Sequence, residues 1–269
     1  MPFQFFVVVF FVFLFVLIVI YRVVEPVYML FYNKPLYIYW YPFPKKLKLY
    51  ERQFLENSFP FYLKLSDKRK VYFEHRTKEF ISNYQFLGNE IIVTEQMKIL
   101  IAGTYVMLTF GMRDYLTVLF DKIIIYPCNY YSIINERYHK GEFNPRMKAV
   151  VFSWEDFLLG HEATSDNINL GLHEFSHVLH FHCLKSNDPS AVIFYDEFNK
   201  VVKYYSDQYL NNELHEKGYF RLYAYENQFE FLSVVLEHFF ETPHIFKKEH
   251  PELYENVYSM INFKEEYLD

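Results

Sequence analysis

The sequence predicts an α+β fold, strands early and helices late, behind one N-terminal transmembrane helix. Three observations lead there. Phe5 to Ile20 is an uninterrupted apolar run. Two short β-rich runs, Ile123–Tyr126 and Val150–Phe152, lie in the middle of the chain. From Asn167 onward the pattern turns helical.

The elements follow in chain order. With Phe3, Gln4 and Tyr21 the apolar run reaches about 19 residues, close to the ~20 needed to cross a bilayer. In lipid the backbone must pair internally, so a single segment crosses as a helix. A cleaved signal peptide would need a basic start and small residues at a cleavage site. The flanks are Met-Pro-Phe-Gln and Tyr-Arg-Val-Val-Glu, which favours an uncleaved anchor. No Lys or Arg precedes the run, whereas Arg22, Lys34, Lys45, Lys46 and Lys48 follow it. The positive-inside rule then predicts a single-pass protein of the cell inner membrane with its bulk in the cytoplasm. The expected division is an anchor over 1–24, an aromatic, Pro-rich linker over 25–50 and one domain over 51–269.

Within that domain a helix is predicted over Thr94–Phe110. Met97, Leu100, Ile101, Tyr105 and Leu108 share a face, Thr94 caps the start and Gly111 ends it. Ile123–Tyr126, stopped by Pro127, and Val150–Phe152 read as buried strands. Helices are then predicted over Asn167–Leu184, Val192–Leu210, Asn227–Phe240 and Pro251–Ile261, with Ser186–Pro189 and Thr242-Pro243 as breaks.

Composition narrows function. A net charge of −6 offers no basic field for nucleic acid. The 31 Phe and 26 Tyr read as compositional bias rather than a binding surface. The two cysteines, Cys128 and Cys183, have no CxxC spacing, which argues against a thiolate metal site.

One motif carries chemistry. His173-Glu174-Phe175-Ser176-His177 fits H-E-x-x-H inside the apolar helix Leu170–Leu184. Residues i and i+4 stack on one helical face, so two imidazoles converge at a spacing that holds one zinc ion. Glu174 stands where a general base for a zinc-bound water would stand. The alternative is an amphipathic helix with ordinary histidines, but burying two such rings and a carboxylate unpaired would be costly. A tetrahedral site needs a third ligand and an open position. The chain continues Val178-Leu179-His180-Phe181-His182 without the Gly of the metzincin pattern, which leaves a carboxylate from a later helix. Glu230 and Glu237 share a face of the Asn227–Phe240 helix. Asn227 and Glu230 also fit a capping box, and spacing alone does not choose between cap and ligand.

Several blocks, taken together, resemble the MtfA-type zinc peptidases, relatives of the lethal-factor-like gluzincins. They are Glu95-Gln96-Met97 with Ile101-Ala102, Ile123–Pro127, Val151–Trp154, Asn167–His177, Tyr223-Ala224, Glu230-Phe231 and Glu237–Pro243. The resemblance runs from about Tyr72 to Tyr254 and implies a zincin-like domain binding one Zn²⁺. It implies Glu230 as third ligand, seven residues after Tyr223, and the Tyr223 hydroxyl near the open position, where it could stabilise an oxyanion. Glu237 is expected to accept the other N–H of a ligand histidine. His180, where the family usually has an acidic residue, is expected not to bind metal, and His161, His182, His215 and His238 are taken as ordinary core or polar residues. The N-terminal anchor is a second departure from the family. By analogy, Val150–Ser153 is expected to be the edge strand lining the cleft. The activity implied is peptidase action on peptides or proteins, aminopeptidase-like on short substrates. The alternative implied is a binding protein that sequesters a regulator, since the family includes one that captures a transcriptional repressor.

Overall fold

A computed structural model describes residues 2–132 and 136–264. The chain opens with α1 (Pro2–Val19), one π-helical stretch (Ile20–Val24) and α2 (Glu25–Tyr32), a continuous helical rod. From Phe3 to Tyr32 it is long and apolar enough to cross a membrane, and no residue from Phe3 to Val19 is buried. The rod ends at Asn33, whose left-handed backbone reverses the chain.

After an extended stretch come α3 (Leu49–Ser58), α4 (Pro60–Leu63) and α5 (Asp67–Asn83), then β1 (Gln85–Gly88) and α6 (Glu95–Leu108). Strands β2 (Lys122–Tyr126), β3 (Tyr130–Ser132), β4 (Arg137–His139), β5 (Gly141–Asn144) and β6 (Ala149–Ser153) follow. The remainder is helical: α7 (Trp154–Glu162), α8 (Leu170–Lys185), α9 (Pro189–Ser206), α10 (Gln208–Lys217), a 3₁₀ turn (Leu222–Tyr225), α11 (Gln228–Glu241), α12 (Pro243–Glu249) and α13 (Pro251–Met260). The fold is thus mixed, with a helical C-terminal half.

The main sheet has the order β1-β2-β6-β5. β1, β2 and β6 run parallel, and β5 returns antiparallel along β6. This corrects the expected place of Val150–Ser153. β6 is paired on both sides, and its five residues are all buried, so it has no free edge to offer. Among the described residues the free edge beside the motif helix belongs to β5, a polar four-residue strand too short for periodicity to reveal.

The core is aromatic. Phe175 of α8 packs edge-on to Tyr105 of α6 at 5.0 Å and to Phe152 of β6 at 5.4 Å. With Leu172, Val178 and Leu179 it forms the buried face that seats α8 between α6 and the sheet. Full burial of each such side chain stabilises by roughly 1.5–3 kcal/mol. Truncating Phe175 to Ala would cost about 3–5 kcal/mol and release the helix that carries the motif.

Helix limits differ from the expected ones for local reasons. α8 starts at Leu170 because Asn167 is left-handed, with φ 57°, leaving Asn169 to cap by accepting the Leu172 N–H at 3.0 Å. Pro189 begins α9 instead of merely ending α8, since Asp188 caps it and a proline at the first turn needs no N–H partner. The predicted Val192–Leu210 helix breaks at Asp207, which is extended.

Candidate metal centre

Two helices build the site. α8 presents His173 and His177 one turn apart, with ring centroids 5.0 Å from each other. α11 presents Glu230 in its first turn, where Asn227 caps by accepting the N–H groups of Phe229 and Glu230. The Glu230 side chain is turned towards α8. Its Oε2 lies 2.9 Å from His173 Nε2 and its Oε1 lies 3.6 Å from His177 Nε2. The backbone at residue 230 is capped while its carboxylate is free for the imidazoles. One ligand atom from each of His173, His177 and Glu230 lies within 4.8 Å of the other two.

The donor set fits a divalent cation. His173 Nδ1 is 2.9 Å from Oε1 of Glu237, a fully buried carboxylate. With the proton on Nδ1, the Nε2 lone pair faces Glu230 Oε2, which is itself buried and receives no well-aimed hydrogen bond. Two lone pairs 2.9 Å apart call for a positive charge between them. Without a metal the imidazole supplies it. Burial opposes the imidazolium, but bonds to Glu230 and Glu237 and the charge of Glu174 outweigh burial and push the His173 pKa up to about 10. Burial, helped by the neighbouring His173 charge, pushes His177 down to about 4, so its ring is neutral and its lone pair available. Glu230 is held below the ordinary carboxylate range, because bonds and charges from His173, His177 and Tyr223 overcome its burial.

Glu174 lies on the neighbouring wall. Burial, moderated by His173 and by the Phe143 backbone N–H and reinforced by Glu230 and Glu142, raises its pKa to about 7. It stands against β5, where Gly141 makes the approach possible. A Cβ at residue 141 would sit 2.8 Å from Leu170 Cδ1 and 2.9 Å from both Cγ and Oε1 of Glu174. The Tyr223 hydroxyl reaches the Glu230 carboxylate, and its ring centroid is 5.7 Å from that of His173. Burial, with the Glu230 charge, holds this phenol above its ordinary value, so it stays protonated. A cleft of about 680 Å³ opens onto these groups, lined by β4–β5 residues Tyr138–Gly141 on one wall and Arg221, Tyr223 and Glu226 on another.

Other histidines lie elsewhere. His180 is buried between the rings of Phe198 and Phe229 and is absent from the metal cluster. His182 Nε2 lies 3.1 Å from the Asp114 carbonyl, His161 Nε2 2.7 Å from the Ser58 carbonyl, and His215 stacks on Tyr225. His238 is buried among Tyr219 and Phe220. Sequence reasoning missed Arg221, which makes a two-pronged ion pair with Glu237. The only available signal was its position two residues before Tyr223 in a turn.

Uncharacterized protein slr2042 of Synechocystis sp. is similar to this chain, 24% identical over 233 residues that span 79% of this chain and 83% of the relative. The family model of the glucose-regulated metallo-peptidase M90 matches residues 41–261, from the extended stretch before α3 to the end of α13. With all of α8 and α11 inside that match, the chain belongs to the M90 metallopeptidase family, the MtfA type.

Proposed function

We propose that this chain is a membrane-anchored zinc metallopeptidase, with His173, His177 and Glu230 as metal ligands and Glu174 as general base. The observation that carries the reading is the convergence of three ligand atoms from two helices within 4.8 Å, with a carboxylate next in sequence to His173 to serve as base. Zinc bound there would lower the pKa of a water towards ~7 and polarise a peptide carbonyl. The chain's own groups do the rest. Glu174, with a pKa near that range, takes the water's proton and can return it to the leaving amine. The Tyr223 phenol, protonated and beside Glu230, is placed to donate to the oxyanion of the tetrahedral species. The free edge of β5 offers backbone groups to which an extended peptide can pair, which sets its carbonyl over the cleft. A mixed sheet whose antiparallel edge faces the H-E-x-x-H helix supports the zincin-like assignment.

The helical rod supports the anchor. The side chains from Phe3 to Val24 are mostly exposed and almost all apolar, Arg22 stands at the end of the apolar run and Lys34, Lys45, Lys46 and Lys48 follow the rod. On this reading residues 1–24 hold the bilayer, 25–50 connect, and 51–269 form the peptidase, in the cytoplasm. Its substrates are peptides or proteins.

Glu174→Gln tests the reading. The variant should bind zinc as the native chain does while hydrolysis falls by about 10²–10⁴. Undiminished hydrolysis by this variant would remove Glu174 from the mechanism. A cellular phenotype indifferent to the substitution would favour capture of a protein regulator over catalysis.

A further inference from the structure

Glu237 is fully buried, and a buried carboxylate needs both bonds and counter-charge. It bonds His173 Nδ1 through Oε1. The counter-charge comes from Arg221, with Nη1 2.5 Å from Oε2 and Nη2 2.9 Å from Oε1. The same Nη1 donates to the backbone carbonyl of Asn167. Asn167 is the left-handed residue just ahead of α8. Its N–H donates to Glu241 at 2.8 Å, and its side-chain oxygen accepts from Thr242 at 2.7 Å. The guanidinium also lies 5.8 Å from the centroid of the Tyr223 ring. One side chain thus touches the entry to α8, the middle of α11 and the turn that bears Tyr223.

We propose that Arg221 is a positioning residue of the metal centre, acting on His173 through Glu237. A planar fork fixes both carboxylate oxygens, which a point charge does not. A fixed Glu237 Oε1 holds the proton of His173 on Nδ1 and sets the ring's rotation, so that Nε2 points to the space shared with His177 and Glu230. The contact to the Asn167 carbonyl steadies the guanidinium itself, so that the fork stays aimed at Glu237. Arg221 touches neither zinc nor substrate in this role.

The inference rests on the metal reading above, so the test measures metal affinity rather than activity. The full chain in detergent is titrated with zinc against a chromophoric chelator, alongside Arg221→Met, Arg221→Lys, Glu237→Gln and the Arg221→Met/Glu237→Gln double variant. Glu237→Gln, which loses the outer partner of His173 itself, should weaken zinc binding about 10–100-fold, and Arg221→Met should weaken it by up to that amount. Arg221→Lys should recover part of that loss. The double variant should bind no more weakly than Glu237→Gln, because both changes break one chain of contacts. Native affinity in Arg221→Met, or losses that add in the double variant, would overturn the inference while leaving the metal reading intact. Absence of zinc from the wild-type chain would overturn the metal reading and this inference with it. If Arg221→Met does not fold, Arg221→Lys decides: it keeps the charge and loses the fork, and native affinity in it overturns the proposal.

Discussion

Gly141→Ala should slow hydrolysis without emptying the metal site. The new methyl would lie 2.8–2.9 Å from Leu170 and from two atoms of Glu174. Carbon contacts are comfortable near 3.5–4.0 Å, so ~0.6–1 Å of movement must be found. Glu174 is packed under β5 and bonded to the Phe143 N–H of that strand, so either the base rotates away or the strand lifts off it. Overpacking of this kind costs typically ~1–3 kcal/mol. In a domain of this size each kcal/mol lowers Tm by about 2–4 °C. A catalytic group displaced by ~1 Å can lose up to about 10²-fold in rate. The expected result is kcat/KM down about 10–100-fold on a quenched fluorescent peptide, with zinc content and far-ultraviolet circular dichroism unchanged. The nearest atoms to the new methyl belong to Leu170 and Glu174 and not to His173, His177 or Glu230, so metal binding should be retained. A Gly141→Ala chain with native kcat/KM and native Tm would refute the claim that β5 presses on the base.

His173→Ala removes a proposed ligand, and bound zinc should fall from about one per chain to a trace, as read by elemental analysis. His180→Phe fills a slot already walled by Phe198 and Phe229. Burial lowers the His180 pKa to about 4 from an ordinary 6.5, so its share of stability is present above pH 6.5 and is lost as pH falls towards 4. The phenylalanine variant should therefore unfold at lower pH than the native chain, with a gain of about 1–2 kcal/mol at pH 5 relative to pH 7; equal acid midpoints would count against it. Activity should show an acidic limb set by Glu174, whose pKa of about 7 in the metal-free chain a bound dication would shift downward. A rate that keeps rising as pH drops below 5 would exclude a carboxylate base. Arg113 joins Glu25 at 2.6 Å and Asp188 at 2.7 Å, and Arg113→Ala should cost about 3 kcal/mol by taking the counter-charge from both carboxylates, visible as a lower thermal midpoint.

The motif helix, its partner and the two other late helices were legible because they are long and periodic, and because His173, Glu174 and His177 sit at a spacing that only a helix brings together. From spacing alone Glu230 was one of two readings, cap or ligand, and only the family resemblance pointed to the ligand. Deciding between them required knowing where its carboxylate points, which sequence spacing does not encode. The helices from Leu49 to Asn83 were not legible. They bury charged residues, Glu51, Glu74 and Arg76 among them, that hydropathy assigns to the surface. Arg76 is wholly buried, yet it donates to three backbone carbonyls and lies over the ring of Tyr115, contacts that no local pattern announces. β5 was hidden because Gly-Glu-Phe-Asn is short and polar, and its absence moved the edge of the sheet to the wrong strand. Arg221 reads as one more surface arginine until α11 is folded against it.

The rod at the N-terminus does not stop where the folded body starts. Beyond the π-helical stretch, Glu25 is buried against Arg113 and Asn33 donates to Glu197 of α9 at 2.7 Å, so the last turns of the rod are bolted along that helix. If the rod crosses a bilayer, attachment of this kind fixes attitude as well as address. A body hung on a loose string would sweep all directions, whereas this one would hold its groove at a set angle to the lipid plane. Only polypeptides arriving along a restricted set of approaches could then lie along β5, and selection among them would begin with direction before any side chain is read.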